Sequence, residues 1–181
     1  MADTLTMYRK GYGQVEPNHL SGIVTGQIYA QLPADASIDQ FEQGQFAKYN
    51  YAEGKVSFGG IGEFMLVYNE EKLYDERKWR HKDFVYKKED FTDKQLYPRL
   101  IRTYVGDIMT TNTIELPNDS DSKTVEPTTS KTLTVGDYLT INEENGFLTK
   151  ANAAGDGIAW RVVKTYTMPD GQPGVKIQRV Q

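Results

Sequence analysis

The chain has no cysteine and only two histidines, His19 and His81, among its 181 residues. The lack of cysteine excludes disulfides, thiolate nucleophiles and cysteine-ligated zinc, and it leaves the redox compartment open. A lone histidine such as His19 cannot hold a metal ion. His81 has only Asp83 as a nearby candidate partner, and such a pair lacks a nucleophile and an oxyanion donor. We therefore expect no metal, no cofactor and no catalytic residue, and we interpret the protein as a non-enzyme.

Long apolar runs and an excess of positive charge are also missing. No stretch approaches the roughly eighteen apolar residues of a membrane-spanning helix. Residues 1–4 do not begin a basic region followed by an apolar core, as a secretory signal would. The net charge is -4, so the chain lacks the positive field with which nucleic-acid-binding proteins neutralise phosphates. We expect a soluble protein that contacts neither nucleic acid nor a membrane.

Tyrosine is abundant, with twelve residues against seven Phe and two Trp. Tyrosine favours strands and wet interfaces, where one end of the ring is buried and the other end reaches a polar partner. The hydrophobic share of 38% is below the usual globular value. This composition indicates a protein with contact surfaces.

A spaced pattern occurs three times: a glycine, then Gln or Asp, and an Asn six positions after the glycine. The copies are residues 44–50, 106–112 and 136–142. In the first and third copies a second glycine, Gly54 or Gly146, follows ten positions after the first. We interpret these two copies as the same β-hairpin, in which the first glycine opens a strand and the Asn with the second glycine supplies the positive-φ positions of the return turn. Such a repeat describes a scaffold.

The remaining patterns divide the chain into four parts. Residues 1–20 show no strand or helix period, so we expect a loose tail or an N-terminal arm that orders on a partner. Residues 21–116 are predicted to form a β domain with a charged insertion at 69–99, and the polar residues 117–130 a linker. Residues 131–181 are predicted to form a C-terminal β unit, which is small for an independent core. The predicted fold class is all-β, with small antiparallel β-barrel or sandwich units, an extended N-terminal arm and a charged insertion.

Strand signals are clear in several places. The first predicted strand covers residues 23–30, and the apolar run at 63–68 is typical of a buried central strand. The other predicted strands are two around Gly106 and Asp107 within residues 100–116, and those at 132–134, 137–142, 147–150, 158–168 and 175–180.

The hairpin blocks resemble capsid decoration, or cement, proteins of tailed bacteriophages. The segments that carry the resemblance are residues 43–49, 53–56, 134–139 and 145–148, within blocks at about 22–68 and 131–181. The resemblance implies a structural virion protein on the capsid surface, present in the host cytoplasm before assembly. Its implied partners are the major capsid protein and neighbouring copies of itself. The charged insertion departs from a minimal decoration domain, which leaves a vertex, portal-adjacent or tail-associated role open.

Partner contacts follow from this implied role. A decoration protein adds buried area across the joints between shell subunits, and aromatic and arginine side chains dominate the energetics of interfaces. We therefore expect the partner-binding residues to be Tyr8, Tyr12 and Leu20 in the arm and Trp79, Arg80 and Tyr86 in the insertion.

A ligand-binding module is the competing interpretation. In this alternative the protein is a glycan- or ligand-binding β-barrel, such as a tail-associated or host-attachment protein. Its aromatic side chains would form a stacking platform; the candidates are Tyr49, Tyr51, Phe58, Tyr68 and Tyr74.

Overall fold

The computed structural model describes residues 3–26, 28–69, 83–93, 95–116 and 131–181, with the backbone alone for 28–30. Within these residues the fold is all-β, as predicted, with antiparallel sheets and one sheet curled into a half barrel. The strands are β1 (Thr4–Met7), β2 (Val15–His19), β3 (Ile28–Gln31), β4 (Gln40–Glu42), β5 (Phe46–Asn50), β6 (Lys55–Ser57), β7 (Phe64–Val67), β8 (Val85–Lys87), β9 (Arg99–Ile101), β10 (Ile108–Thr111), β11 (Lys131–Thr134), β12 (Tyr138–Ile141), β13 (Leu148–Ala151), β14 (Ala159–Thr167) and β15 (Pro173–Arg179). The helices are α1 (Ser21–Val24) and α2 (Lys88–Thr92).

The strands form two main sheets and two strand pairs. The six-stranded sheet has the order β13-β12-β14-β15-β10-β2, and the five-stranded sheet has the order β3-β9-β7-β5-β6. The pairs are β1 with β11 and β4 with β8. Strands that are distant in the sequence are therefore neighbours in space throughout the fold.

The five-stranded sheet is the middle layer of three, because its alternating side chains enter two different cores. Phe64 and Leu66 of β7 join a core formed mainly by the six-stranded sheet, including Trp160. Met65 and Val67, which point to the opposite face, join a second core that contains Phe41 and other side chains of the β4–β8 pair and α2. The predicted buried central strand at 63–68 is thus confirmed as β7, with both faces covered.

The N-terminal segment is not an extended arm. β1 pairs with β11, and β2 pairs with β10 of the same chain. Met7 and Leu20 are almost fully buried in the core of the six-stranded sheet. The prediction was wrong because residues 1–20 lack a strand period of their own and become strands through partners far along the sequence.

The division into separate β domains is also corrected. β10, from the predicted domain 21–116, pairs with β15 of the C-terminal part. The ring of Phe46 lies 5.9 Å from that of Trp160, across the two parts. Residues 131–181 therefore share a core with the preceding residues, as expected for a unit too small to bury a core alone.

Two further segments are placed differently from the sequence predictions or lie outside the described residues. Ile23 and Val24 belong to α1, and the strand predicted at 23–30 begins only at β3. The predicted linker, residues 117–130, lies outside the described residues, as do residues 70–82 of the charged insertion. The described remainder of the insertion contains β8 and α2, which cover one face of the five-stranded sheet.

The three repeat copies open with the same backbone geometry. Gly44, Gly106 and Gly136 have φ of +86°, +97° and +102°. The side chain that follows each glycine accepts a hydrogen bond from the backbone N–H three positions earlier: Gln45 from Glu42 (2.6 Å), Asp107 from Tyr104 (2.8 Å) and Asp137 from Thr134 (2.8 Å). The sequence repeat is therefore a structural repeat of a capped turn that begins a strand.

The two predicted hairpins are confirmed, with one change in their turns. β5 pairs with β6, and β12 pairs with β13. The second glycines, Gly54 and Gly146, have positive φ, but Asn50 and Asn142 do not. Each Asn side chain instead accepts a backbone N–H two positions ahead, at 3.1 and 2.9 Å, so it stabilises the turn as an Asx cap.

Candidate functional site

Metal-binding clusters and membrane-spanning helices are both absent from the described part of the chain. No group of three or more His, Cys, Asp or Glu side chains there could hold a metal ion. Among the described residues, no helix is long and apolar enough to cross a membrane.

Exposed bulky hydrophobic residues concentrate at one end of the five-stranded sheet. Ile61 is 94% exposed, Val24 75% and Val105 68%. We call this set the apolar rim; it comprises Ile23, Val24, Tyr51, Ile61, Tyr104 and Val105. Single exposed hydrophobic residues are common, whereas several at one end of a sheet indicate an interaction surface.

Strand register brings the loops of the rim to the same end of the sheet. The end of β9, at Ile101, faces the start of β3, at Ile28, and Leu66, the third residue of β7. The residues after Ile101 therefore run toward the start of β7. The end of β5 lies beside the start of β7, because Lys48 faces Phe64. The turn after β5, the loop before β7, the turn after β9 and α1 therefore meet at this end.

The loop that carries Ile61 packs against the turn that carries Tyr51. The Lys48 ammonium donates a hydrogen bond to the Gly60 carbonyl oxygen at 3.4 Å. A Cβ on Gly60 would stand 3.6 Å from the Asn50 side-chain nitrogen, which shows how closely the loop approaches the end of β5.

A small ion cluster connects the Ile61 loop to the turn after β9. The Glu63 carboxylate lies 3.2 Å from Arg179 and 3.4 Å from Arg102. Arg179 is 9% exposed and also donates hydrogen bonds to the backbone oxygen and the hydroxyl of Thr103. Because Arg179 ends β15, this cluster also fastens the rim to the six-stranded sheet.

Asp107 connects the turn after β9 to α1. Its carboxylate, which is almost fully buried, accepts hydrogen bonds from the Ser21 N–H (3.0 Å), the Ser21 hydroxyl (2.6 Å) and the Tyr104 N–H (2.8 Å). The Asp107 carboxylate therefore binds both α1, which carries Val24, and the turn after β9, which carries Val105. A buried charge-assisted contact of this kind makes the local backbone rigid.

The chemistry of the rim suits a protein partner. Glu63 and Arg102 next to it are each 37% exposed and carry opposite charges. An apolar centre with a mixed-charge border is typical of protein interfaces.

The residues predicted to bind a partner do not come together. Leu20 is 2% exposed in the first core and Tyr86 is 3% exposed in the second, so neither side chain offers surface to a partner. Tyr8 and Tyr12 are half-buried in the segment between β1 and β2. Trp79 and Arg80 lie outside the described residues.

Sequence reasoning missed the rim, although one signal was present. Ile61 is a bulky aliphatic residue between two glycines, Gly60 and Gly62, and it stands in a turn. An aliphatic side chain at a turn that cannot bury it indicates a contact residue. Val24 gave no such signal, because it reads as part of a strand pattern.

The aromatic residues of the competing interpretation do not form one platform. Tyr49 and Tyr51 contact each other with ring centroids 4.2 Å apart, whereas Phe58 packs against Phe41 at 5.3 Å. Tyr68 lines a separate cleft at the other end of β7. Tyr74 lies outside the described residues.

That cleft, with a volume of ≈ 230 Å³, lies beside β2. Glu16 and Pro17 of β2 line it on one side, and Tyr68, Met168 and Pro169 contribute other walls. Pockets that hold small-molecule ligands usually measure roughly 300 to 1,000 Å³. The cleft is therefore smaller than an ordinary ligand site.

The pKa of the half-buried Asp35 carboxyl is held below its ordinary value. The main causes are hydrogen bonds from the Ser37 N–H and hydroxyl, and the Lys55 ammonium 3.8 Å away adds to them. This arrangement caps a surface turn that bridges to β6 through Ala34 and Val56, so its role is structural.

The chain matches no protein-family model, and comparison with curated proteins and with solved structures gives no match. The candidate function therefore depends on the surface of the described residues.

Proposed function

We propose that the protein is a structural virion protein that binds and stabilises the capsid shell of a tailed bacteriophage, as a decoration (cement) protein or a minor capsid protein. The observation that carries this proposal is the apolar rim, whose most exposed member, Ile61, is 94% exposed. Exposure of apolar side chains to water is unfavourable. A partner that covers them therefore lowers the free energy of the system. The proposed partners are the major capsid protein and neighbouring copies of the chain on the capsid surface, after a stage in the host cytoplasm.

Rigidity of the rim supports an adhesive role. Its turns are fixed by the Asp107 carboxylate and by the Glu63, Arg102 and Arg179 cluster. Groups that are already ordered before binding lose less conformational entropy on binding, so more of the contact energy appears as affinity. The three-layer fold then acts as a stiff support for this surface.

Binding would stabilise the shell through mass action. A protein that binds the assembled shell but not its separated subunits shifts the equilibrium toward the assembled state. When one copy spans a joint between subunits, it adds buried apolar area to a contact that pressure would otherwise open. This mechanism requires neither a catalytic residue nor a metal.

Replacement of Ile61 by serine is expected to weaken shell binding while leaving the fold intact. Loss of one buried aliphatic side chain costs about 2 kcal/mol, which corresponds to a roughly thirtyfold higher Kd. The measurement is co-sedimentation of the purified chain with assembled shells of its phage from which the protein has been removed, over a range of concentrations.

The matched control is Val163→Ser. Val163 is also an exposed aliphatic residue, but it lies on β14, away from the rim. We expect the control to bind shells with the affinity of the unmodified chain. Equal binding by the Ile61 variant and the unmodified chain would show that the rim is not the docking surface. If the unmodified chain failed to sediment with shells, the proposed function itself would be contradicted.

A further inference from the structure

The six-stranded sheet is rich in positive charge, although the chain as a whole has a net charge of -4. Its six strands contain five Lys or Arg residues and one acidic residue, Glu16. Two of the five cations have an acidic partner: the Lys150 ammonium lies 2.6 Å from Asp137, and Arg179 lies 3.2 Å from Glu63. The other three are Arg161 and Lys164 of β14 and Lys176 of β15.

A β-bulge brings these three cations to one face of the sheet. Lys176 and Gln178 of β15 point to the same face, because side chains two positions apart on a strand do so. On β14, Lys164 is opposite the first of these residues and Arg161 is opposite the second. Arg161 and Lys164 are three positions apart and would point to opposite faces of a regular strand. The register shift between residues 162 and 164 adds one residue and so turns both to the same side. We call Arg161, Lys164 and Lys176 the basic face.

The basic face lies on the outside of the molecule. Val162 and Ile177 face each other on the opposite side of the sheet and belong to the first core. Arg161 and Lys164 are exposed, and Lys176 is half-buried. Among the described residues, none of these three cations makes an ion pair. Their charges are therefore presented to solvent.

The arrangement of these charges does not stabilise the sheet. The Cβ atoms of directly opposite residues such as Lys164 and Lys176 are about 5 Å apart, and like charges at such positions are destabilising. Arg161 adds a third positive charge on the diagonal, about 7 to 8 Å from Lys176. Glu16 points to the same face but is two strands away, at about 10 Å. Carboxylates of a partner would neutralise charges that the sheet itself leaves in repulsion.

We propose that the basic face is a docking surface for an acidic patch on a partner protein. Three cations within the width of two strands match a small group of Asp or Glu side chains. The ring of Tyr138 lies beside them, with its centroid 5.9 Å from the guanidinium carbon of Arg161. Tyrosine and arginine are enriched in protein interfaces.

The charge of the chain favours this partner over two others. Nucleic-acid binding draws on the neutralisation of many phosphates, and a net charge of -4 opposes the approach of such a polyanion. A second copy docked through the same face would bring six positive charges together. The inference does not depend on shell binding by the rim, and the control variant Val163→Ser leaves all three charges of the basic face in place.

The test is a titration of the ¹⁵N-labelled full chain, followed by NMR, with an acetylated and amidated hexaglutamate peptide. We expect the backbone signals of Arg161, Lys164 and Lys176 to shift. Binding should be at least about fivefold weaker in about 200 mM than in about 20 mM salt, because salt screens exposed charges. A hexaglutamine peptide is the neutral control, and a thymidine hexanucleotide is the nucleic-acid probe; both should bind more weakly than hexaglutamate.

Lys164→Gln and Lys176→Gln each remove one charge from the basic face. We expect each variant to bind hexaglutamate about two- to fivefold more weakly, as for the loss of one exposed ion pair, and the double variant more weakly still. The control is Lys55→Gln on β6, where Lys55 is 41% exposed and lies 3.8 Å from Asp35; it should bind as the unmodified chain does. The thermal midpoints of the two test variants should stay the same or rise slightly, because a like-charged pair is removed.

Several results would overturn the proposal. Absence of shifts at the three cationic residues in low salt would mean that the face does not bind carboxylates. Equal binding of hexaglutamine would show that charge is not recognised, and tighter binding of the DNA probe would assign the face to nucleic acid. Unchanged hexaglutamate binding by the double variant would place the peptide elsewhere on the molecule.

Discussion

Gly146→Ala is expected to lower the free energy of unfolding by about 3 to 4 kcal/mol, whereas Gly54→Ala should lower it by only about 1 kcal/mol. The two glycines hold the same position in the first and third repeat copies and have similar positive φ, +64° at Gly54 and +74° at Gly146. The left-handed backbone penalty for alanine is therefore shared by both variants. Their surroundings differ.

Gly146 lies against the backbone of β5. A Cβ there would stand 2.2 Å from the Phe46 carbonyl oxygen and 2.7 Å from a ring carbon of Phe58, whereas a Cβ on Gly54 meets nothing within 4 Å. The Gly146 carbonyl oxygen also accepts the Phe46 N–H at 2.8 Å. Alanine at 146 must push the β12–β13 hairpin away from the five-stranded sheet and break this hydrogen bond.

Chemical denaturation of the unmodified chain and the two variants measures the difference directly. Gly54→Ala is the matched control for backbone strain, because it changes the same conformation in open space. Similar losses of stability in both variants would mean that the contact between the two hairpins is loose. A larger loss in Gly54→Ala would contradict the packing described for Gly146.

Glu42→Gln is expected to cost about 3 to 5 kcal/mol of stability, as is usual when one partner of a buried ion pair is neutralised. The Glu42 carboxylate is fully buried and lies 3.7 Å from the guanidinium of Arg9, which is 1% exposed. It also accepts the Gly13 N–H at 2.6 Å. Glu42→Gln therefore removes the negative charge that lies beside the buried guanidinium of Arg9.

An exposed pair is the control for this prediction. Lys88 and Asp39 lie 3.5 Å apart with side chains 49% and 86% exposed, and surface pairs contribute about 0 to 1 kcal/mol. Asp39→Asn should therefore leave the denaturation midpoint nearly unchanged. In the double variant with Arg9→Met the cost of Glu42→Gln should shrink, because no unpaired charge remains; an undiminished cost would mean that the pair is not coupled.

Local sequence patterns predicted those strands whose formation depends on residues close to them in the sequence. The hairpins at Gly54 and Gly146 and the long final strands, β14 and β15, depend on turn glycines and on runs of strand-forming residues. The continuous apolar run of β7 likewise indicates that both faces of this strand are buried. These elements carry their own signals.

The other elements, such as β2 and α1, depend on contacts with residues far away in the sequence. β2 contains Glu16, Pro17 and Asn18, which do not alternate between apolar and polar, and it is a strand because β10 pairs with it. Ile23 and Val24 have strong strand propensity, yet the Asp107 carboxylate binds Ser21 and holds them in α1. Tertiary contacts override local preference in such cases.

Local sequence patterns also could not locate the candidate site. Leu20 and Tyr86 have the residue types that interfaces favour, but burial in the two cores excludes them. The rim arises from loops at four points of the sequence, and only strand register brings these loops together. Aromatic content indicates that a contact surface exists, but the fold determines where it lies.

The pairing of strands that are distant in the sequence also delays part of the folding during translation. Thr4 faces Thr134 across the β1–β11 pair, 130 positions later in synthesis. The residues of β1 must therefore wait, with open strand edges, until β11 has been translated. Such unsatisfied edges invite wrong pairing, so newly made copies would need chaperone protection or rapid completion before they reach high concentration in the cell.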